Sequence, residues 1–105
     1  MSLPPYPDSK NEQRTMVDIN DLRLTFTILD EILRPQSSNP EKLIVLQKIQ
    51  FDESKAIEFR LAYYIIGKKP RMAGKWVFGQ YATLMPAEDF QYIVAEAKKR
   101  GWLGS

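Results

Sequence analysis

From position 56 to position 66 the chain sorts its side chains with a period of two. Ile57, Phe59, Leu61, Tyr63 and Ile65 fall on one face of an extended segment, and Glu58, Arg60, Ala62, Tyr64 and Ile66 on the other. No helix divides residues that way, so this run commits the chain to a sheet. The stretch GKKPRMAG at 67–74 is bracketed by glycines and broken by Pro70, which reads as a long hairpin loop. Residues 75–84 then resume the alternation, with Trp76, Phe78, Gln80, Ala82 and Leu84 opposite Lys75, Val77, Gly79, Tyr81 and Thr83.

The C-terminal segment carries the other periodicity. Phe90, Ile93, Val94 and Ala97 recur at helical spacing, with Pro86 at the first turn and Glu88 and Asp89 near the positive end of the dipole. Lys98, Lys99 and Arg100 stand at the negative end and Gly101 supplies the cap, beyond which Trp102 or Leu103 is expected to fold back on the stripe. Earlier, Ile19, Leu22, Phe26, Leu29 and Leu33 predict a helix over 19–34, opened by an Asp18 and Asp21 cap pair and stopped by Pro35. The same residues also alternate, Leu22, Leu24, Phe26 and Ile28 against Arg23, Thr25 and Thr27, as a strand would. The helix is preferred because it accounts for the apolar positions out to Leu33.

QSSNP at 36–40 reads as a loop, 43–51 as a β-rich segment and 52–55 as a polar turn. Residues 1–14, with Pro4, Pro5 and Pro7, read as a flexible N-terminal arm, and 15–105 as one domain. The expected order is α-β-β-β-α. It makes a two-layer α+β domain in which a three-stranded antiparallel meander is covered by two helices.

A chain of 105 residues, 44% of them hydrophobic, suits one core. The absence of cysteine and histidine excludes disulfides, thiolate or imidazole zinc sites and His-dependent triads. No apolar run approaches the roughly 18 residues of a membrane span, and the N-terminus lacks a basic start followed by an apolar block. A cytoplasmic protein without membrane contact is expected. GKKPRMAGK lacks the spacing of a phosphate loop and joins strand to strand, so no small-molecule cofactor is expected. Asp52, Glu53 and Glu58, with Lys55, are the carboxylates that metal-dependent hydrolysis would draw on. An exposed turn does not fix such ligands, and the chain is read as non-enzymatic with no metal site.

Charge is distributed unevenly. Lys and Arg number 15 against 13 Asp and Glu, yet between Glu58 and Glu88 there are five cations and no acid. The same stretch holds six of the twelve aromatics, Phe59, Tyr63, Tyr64, Trp76, Phe78 and Tyr81. Arg60, Lys68, Lys69, Arg71 and Lys75 are therefore candidates for phosphate contacts, with Tyr64 and Trp76 as stacking surfaces for unpaired bases. Each has a plainer reading: charged loops keep a fold soluble, and strand aromatics usually pack. Strands carrying a basic loop and followed by a closing helix resemble the layout of single-stranded-DNA-binding transcription cofactors. Layout alone transfers no site residue.

The sequence thus predicts a small non-enzymatic domain that binds nucleic acid, preferably single-stranded, through a basic hairpin and the adjoining aromatics. The alternative is a protein-interaction or homo-oligomerisation module. There Ile44, Leu46, Tyr64, Ile66 and Trp76 or Val77 would leave a second sheet face uncovered. A homodimer is the expected assembly.

Overall fold

The computed structural model describes residues 3–79 and 81–103. Gln80 of the expected third strand, and the outermost positions of the chain, lie outside the described residues. Five strands run in chain order: β1 (Gln13–Val17), β2 (Arg23–Gln36), β3 (Asn39–Phe51), β4 (Ile57–Ile66) and β5 (Trp76–Gly79). Each pairs antiparallel with its neighbour in sequence, and the sheet curls into a half-barrel whose edges are β1 and β5. One helix, α1 (Ala87–Lys99), follows. The expected α-β-β-β-α order with a three-stranded meander under two helices is therefore corrected: the protein is mostly sheet, with a single helix among the described residues.

The segment expected as a helix over 19–34 is strand β2, for reasons visible at both of its ends. Asp18 does not cap a helix. Its Oδ1 accepts the Asn20 and Leu22 amides at 2.8 and 2.9 Å, and Asp21 adopts a positive φ of 60°, which closes a tight turn into β2. Within β2 the register shifts between Ile28 and Asp30. Before the bulge, Phe26 and Ile28 face into the curl and pack with Ile49; after it, Ile32 faces outward and packs under α1. The bulge moves the inward positions from Phe26 and Ile28 to Glu31 and Leu33, while Ile32 is buried on the other face, and that change of parity gives helix-like spacings; Ile19 and Leu22, the start of the expected stripe, are exposed. That is why the pattern misled.

β3 is the central strand and is covered on both faces, so Leu43, Ile44 and Val45 are consecutive fully buried residues. The turn at 52–55 and strand β4 follow the expected pattern, with Lys55 at φ 65°. β5 is shorter than the expected 75–84, ending at Gly79. At that position only glycine fits, because a Cβ on Gly79 would overlap the ring of its cross-strand partner Tyr63.

α1 matches its sequence signals. Glu88 and Asp89 occupy the first turn and Lys98 and Lys99 the last, Gly101 takes φ 77°, and the Trp102 amide donates to the Ala97 carbonyl at 2.9 Å. Ile93 and Ala97 are buried on Ile32 and Ile44, with Trp102 packed against them. Phe90 and Val94, expected in the same stripe, are exposed. Asp89 anchors the helix: fully buried, it accepts from Arg34 Nε at 2.8 Å and from the Ser37 amide and hydroxyl at 3.0 Å each. No helix of the described residues is long and apolar enough to cross a membrane.

Residues expected as an N-terminal arm make specific contacts. Tyr6 meets Trp76 edge-on, with ring centroids 5.9 Å apart, and Trp76 Nε1 donates to the Pro4 carbonyl at 3.2 Å. β1 begins inside that range, at Gln13.

Candidate functional site

Across the concave face of the curl, cross-strand pairing lines up three polar residues: Glu31 on β2 opposite Gln47 on β3, and Gln47 opposite Arg60 on β4. Gln47 Nε2 donates to Glu31 Oε1 at 3.0 Å, which turns the amide oxygen toward Arg60. Arg60 donates to it from Nε at 2.9 Å and Nη2 at 2.7 Å. The Ser9 amide donates to Glu31 Oε2 at 3.0 Å, and Ser9 Oγ lies 3.3 Å from the Tyr64 hydroxyl. The Arg60 guanidinium sits between two rings, 4.9 Å from the centroid of Phe26 and 4.8 Å from that of Phe78. Glu31 and Gln47 are buried, so this is a polar row inside an apolar shell. Burial pulls Arg60 below its ordinary pKa; the Tyr64 oxygen and Glu31 oppose that shift and Arg14 adds to it. Burial likewise raises Tyr64.

Of the expected nucleic-acid residues, Arg60, Tyr64 and Trp76 belong to this interior. Arg60 is half-buried in mid-strand, Tyr64 is buried and meets Phe78 edge-on at 5.2 Å, and Trp76 packs beside the same cluster. Lys68, Lys69, Arg71 and Lys75 sit instead on the exposed loop beyond β4. The seven therefore do not form one patch. Lys68 pairs with Glu41 at 2.9 Å, whereas Lys69, Arg71 and Lys75 make no ion pair among the described residues. The loop is braced by backbone bonds: Gly67 N to Lys75 O at 2.8 Å, Lys75 N to Met72 O at 3.0 Å and Met72 N to Lys69 O at 2.9 Å. A Cβ on Gly67 would overlap the Met72 carbonyl, so only glycine fits.

The convex face differs. Around α1 it is apolar but only partly covered: Ile57, Phe59, Leu61 and Ile65 on β4 are each 43 to 48% exposed. Phe59 lies 5.6 Å from the Trp102 ring. Leu61, Met85, Phe90, Val94 and Leu103 line a shallow apolar groove of about 110 Å³ beside the helix. Of the expected uncovered set, Leu46 lines the groove and Val77, paired with Ile65, lies on the convex face, whereas Ile44 is buried under α1, and Tyr64, Ile66 and its partner Trp76 belong to the inward face.

Asp52, Glu53 and Glu58 line an open depression of about 760 Å³ with Asp18 and Arg23. Asp52 accepts from Gln13 Nε2 and from Thr27 Oγ1, and those two bonds hold its carboxyl below the usual range. No group of three or more acids among the described residues is placed to hold a metal ion.

Sequence reasoning missed Gln47, Glu31, Phe26 and Ser9. One signal was present: Gln47 interrupts the alternate positions Leu43, Val45 and Ile49, all apolar, and a polar residue on a core-facing register announces a buried network. Comparison of the chain with protein families, with curated proteins and with solved structures finds no match.

Proposed function

We propose that the protein is a non-enzymatic interaction module whose convex face, along β4 and α1, is buried against another polypeptide, in the first place a second copy of itself. The observation that supports this reading is the run of half-exposed apolar side chains Ile57, Phe59, Leu61, Phe90 and Leu103. A contiguous apolar surface costs free energy in water and marks an interaction site in a soluble domain. β4 presents it as a stripe of alternate residues, suited to a two-fold contact in which each copy covers the other. Sedimentation velocity over a wide concentration range tests it. The weight-average mass should rise toward that of a dimer, and Leu61→Lys, a change at an exposed position, should return a monomer with unchanged circular dichroism. A monomer at every concentration overturns the self-association.

A second reading, nucleic-acid binding, rests on the braced loop with its three unpaired cations, Lys69, Arg71 and Lys75. With Tyr64 and Trp76 turned inward, base stacking drops out of that proposal and phosphate contacts carry it. Three contacts to a single strand correspond to a slope of about −2 in log K against log salt, which makes binding weak and non-specific. That magnitude puts the apolar face first. A gel shift with an oligonucleotide at low salt, lost in the triple change of Lys69, Arg71 and Lys75 to Ala, would support the second reading; no shift at low salt overturns it.

A further inference from the structure

The half-barrel is open along one seam, and the seam is not empty of chemistry. Its edge strands are β1 and β5. A cavity of about 300 Å³ lies between them, lined by Arg14 on β1, Trp76 and Phe78 on β5, and Gln47, Arg60 and Tyr64 on the floor. That volume is at the small end of those that hold organic ligands.

The floor is an arginine fixed in place but not neutralised by contact. Nε and Nη2 of Arg60 both donate to Gln47 Oε1, and its plane is clamped between Phe26 and Phe78. The nearest acid of the network, Glu31, is held off by the intervening amide and bonded instead to Gln47 and Ser9. Among the described residues no carboxylate forms an ion pair with Arg60, and Nη1 has no acceptor. A half-buried cation of this kind is balanced best by an anion brought from outside. Arg14 stands at the rim, 44% exposed and tied to Glu12 at 2.7 Å, a surface pair of little worth that an incoming anion can replace. The walls are of another character: Trp76, which meets Tyr6 edge-on, and Phe78, whose ring covers one side of the guanidinium, leave a narrow apolar strip beside the charge.

We propose that the seam between β1 and β5 is a binding site for a small planar carboxylate, its carboxyl on Arg60 Nη1 and Arg14 and its flat body against Trp76 and Phe78. The Tyr64 hydroxyl, 3.3 Å from Ser9 Oγ, lines the same cavity, and whichever of the two does not donate within that pair has its proton free for the ligand. A phosphate dianion would leave the ring-lined walls unused, whereas a flat monoanion uses both halves of the cavity. The site is independent of the convex face and of its self-association.

Benzoate is the probe, with benzamide as its neutral isostere and inorganic phosphate as a compact anion. In nitrogen–proton correlation spectra of the full chain, benzoate at millimolar concentration should move the Arg60 Nε–H and Trp76 Nε1–H signals and leave those of α1 in place. Benzamide should bind about tenfold more weakly, the size of a lost charge-assisted hydrogen-bonded pair. Arg60→Gln should abolish the response. Because that change also touches the interior, Arg14→Gln at the rim serves as the second variant and should weaken benzoate severalfold while the thermal midpoint stays unchanged. Equal binding of benzamide, equal binding of phosphate, indifference to Arg14→Gln, or no shift at Arg60 and Trp76 would each overturn the proposal.

Discussion

Gln47 shows how one neutral side chain decides the state of two charged ones. Its amide cannot turn over, because its NH₂ is engaged by Glu31 and its oxygen by Arg60. Gln47→Leu keeps the volume but leaves a buried carboxylate and a buried guanidinium each short of a partner. The expected loss is about 2 to 3 kcal/mol of unfolding free energy, read in urea denaturation. Asp89 is the corresponding residue of the helix anchor. Burial works against its charge, but the bonds from Ser37 and Arg34 prevail and hold its pKa below the ordinary value; Asp30, beside Lys10 and Arg100, is lowered too. A carboxyl whose folded pKa is depressed contributes stability above its unfolded value, about 4, and loses it as the pH falls through the folded one. The thermal midpoint should therefore drop on the acid side of pH 4, and that drop should be smaller in Asp89→Asn, which is itself destabilised by about 3 kcal/mol at neutral pH. An acid limb unchanged in the variant would exclude Asp89 from it.

At the level of elements, what could be read from the chain depended on whether one residue or several fixed the outcome. β4 and α1 were legible because each repeats one period without interruption between clear end signals. β2 was not, because the bulge at Leu29 moves the inward positions from even to odd numbers halfway along and a period-two pattern then counterfeits a longer one. β5 was overestimated for a related reason: alternation continues to Leu84, but pairing with β4 stops at Gly79, and no side chain announces where a partner strand ends. The candidate site suffered most. Arg60 and Tyr64 were rightly placed on one strand face, yet which face becomes the inside of a curl depends on strands far away in sequence. The loop after β4 owes its shape to backbone bonds and to Gly67, where a methyl group has no room. Gly67→Ala should therefore expose the Met72 and Lys75 amides to faster hydrogen exchange while β2 and β3 keep their protection; unchanged exchange in the loop would refute that account.

For the molecule as a whole, the two faces of one sheet divide the labour. The concave side holds a clamped guanidinium beside the open seam and the convex side offers apolar surface along α1, so the two proposed activities can be disturbed separately. Leu61→Lys should abolish association and leave benzoate binding intact, whereas Arg14→Gln should weaken benzoate severalfold and leave association intact. Finding both properties lost together in either variant would mean that the faces are coupled through the sheet.

No strand crosses over another, so each hairpin can form as soon as its second half exists, with short closures throughout. Two sets of contacts are exceptions: the α1 anchor joins Arg34 to Asp89 across 55 positions, and the N-terminal segment reaches Tyr64 from Ser9 and Trp76 from Pro4 across 55 and 72. The expected ordering is kinetic, with the ribbon zipping first and the helix docking afterwards. Ala97→Gly should accordingly accelerate unfolding with little effect on the refolding rate, the mark of a contact made after the barrier has been passed.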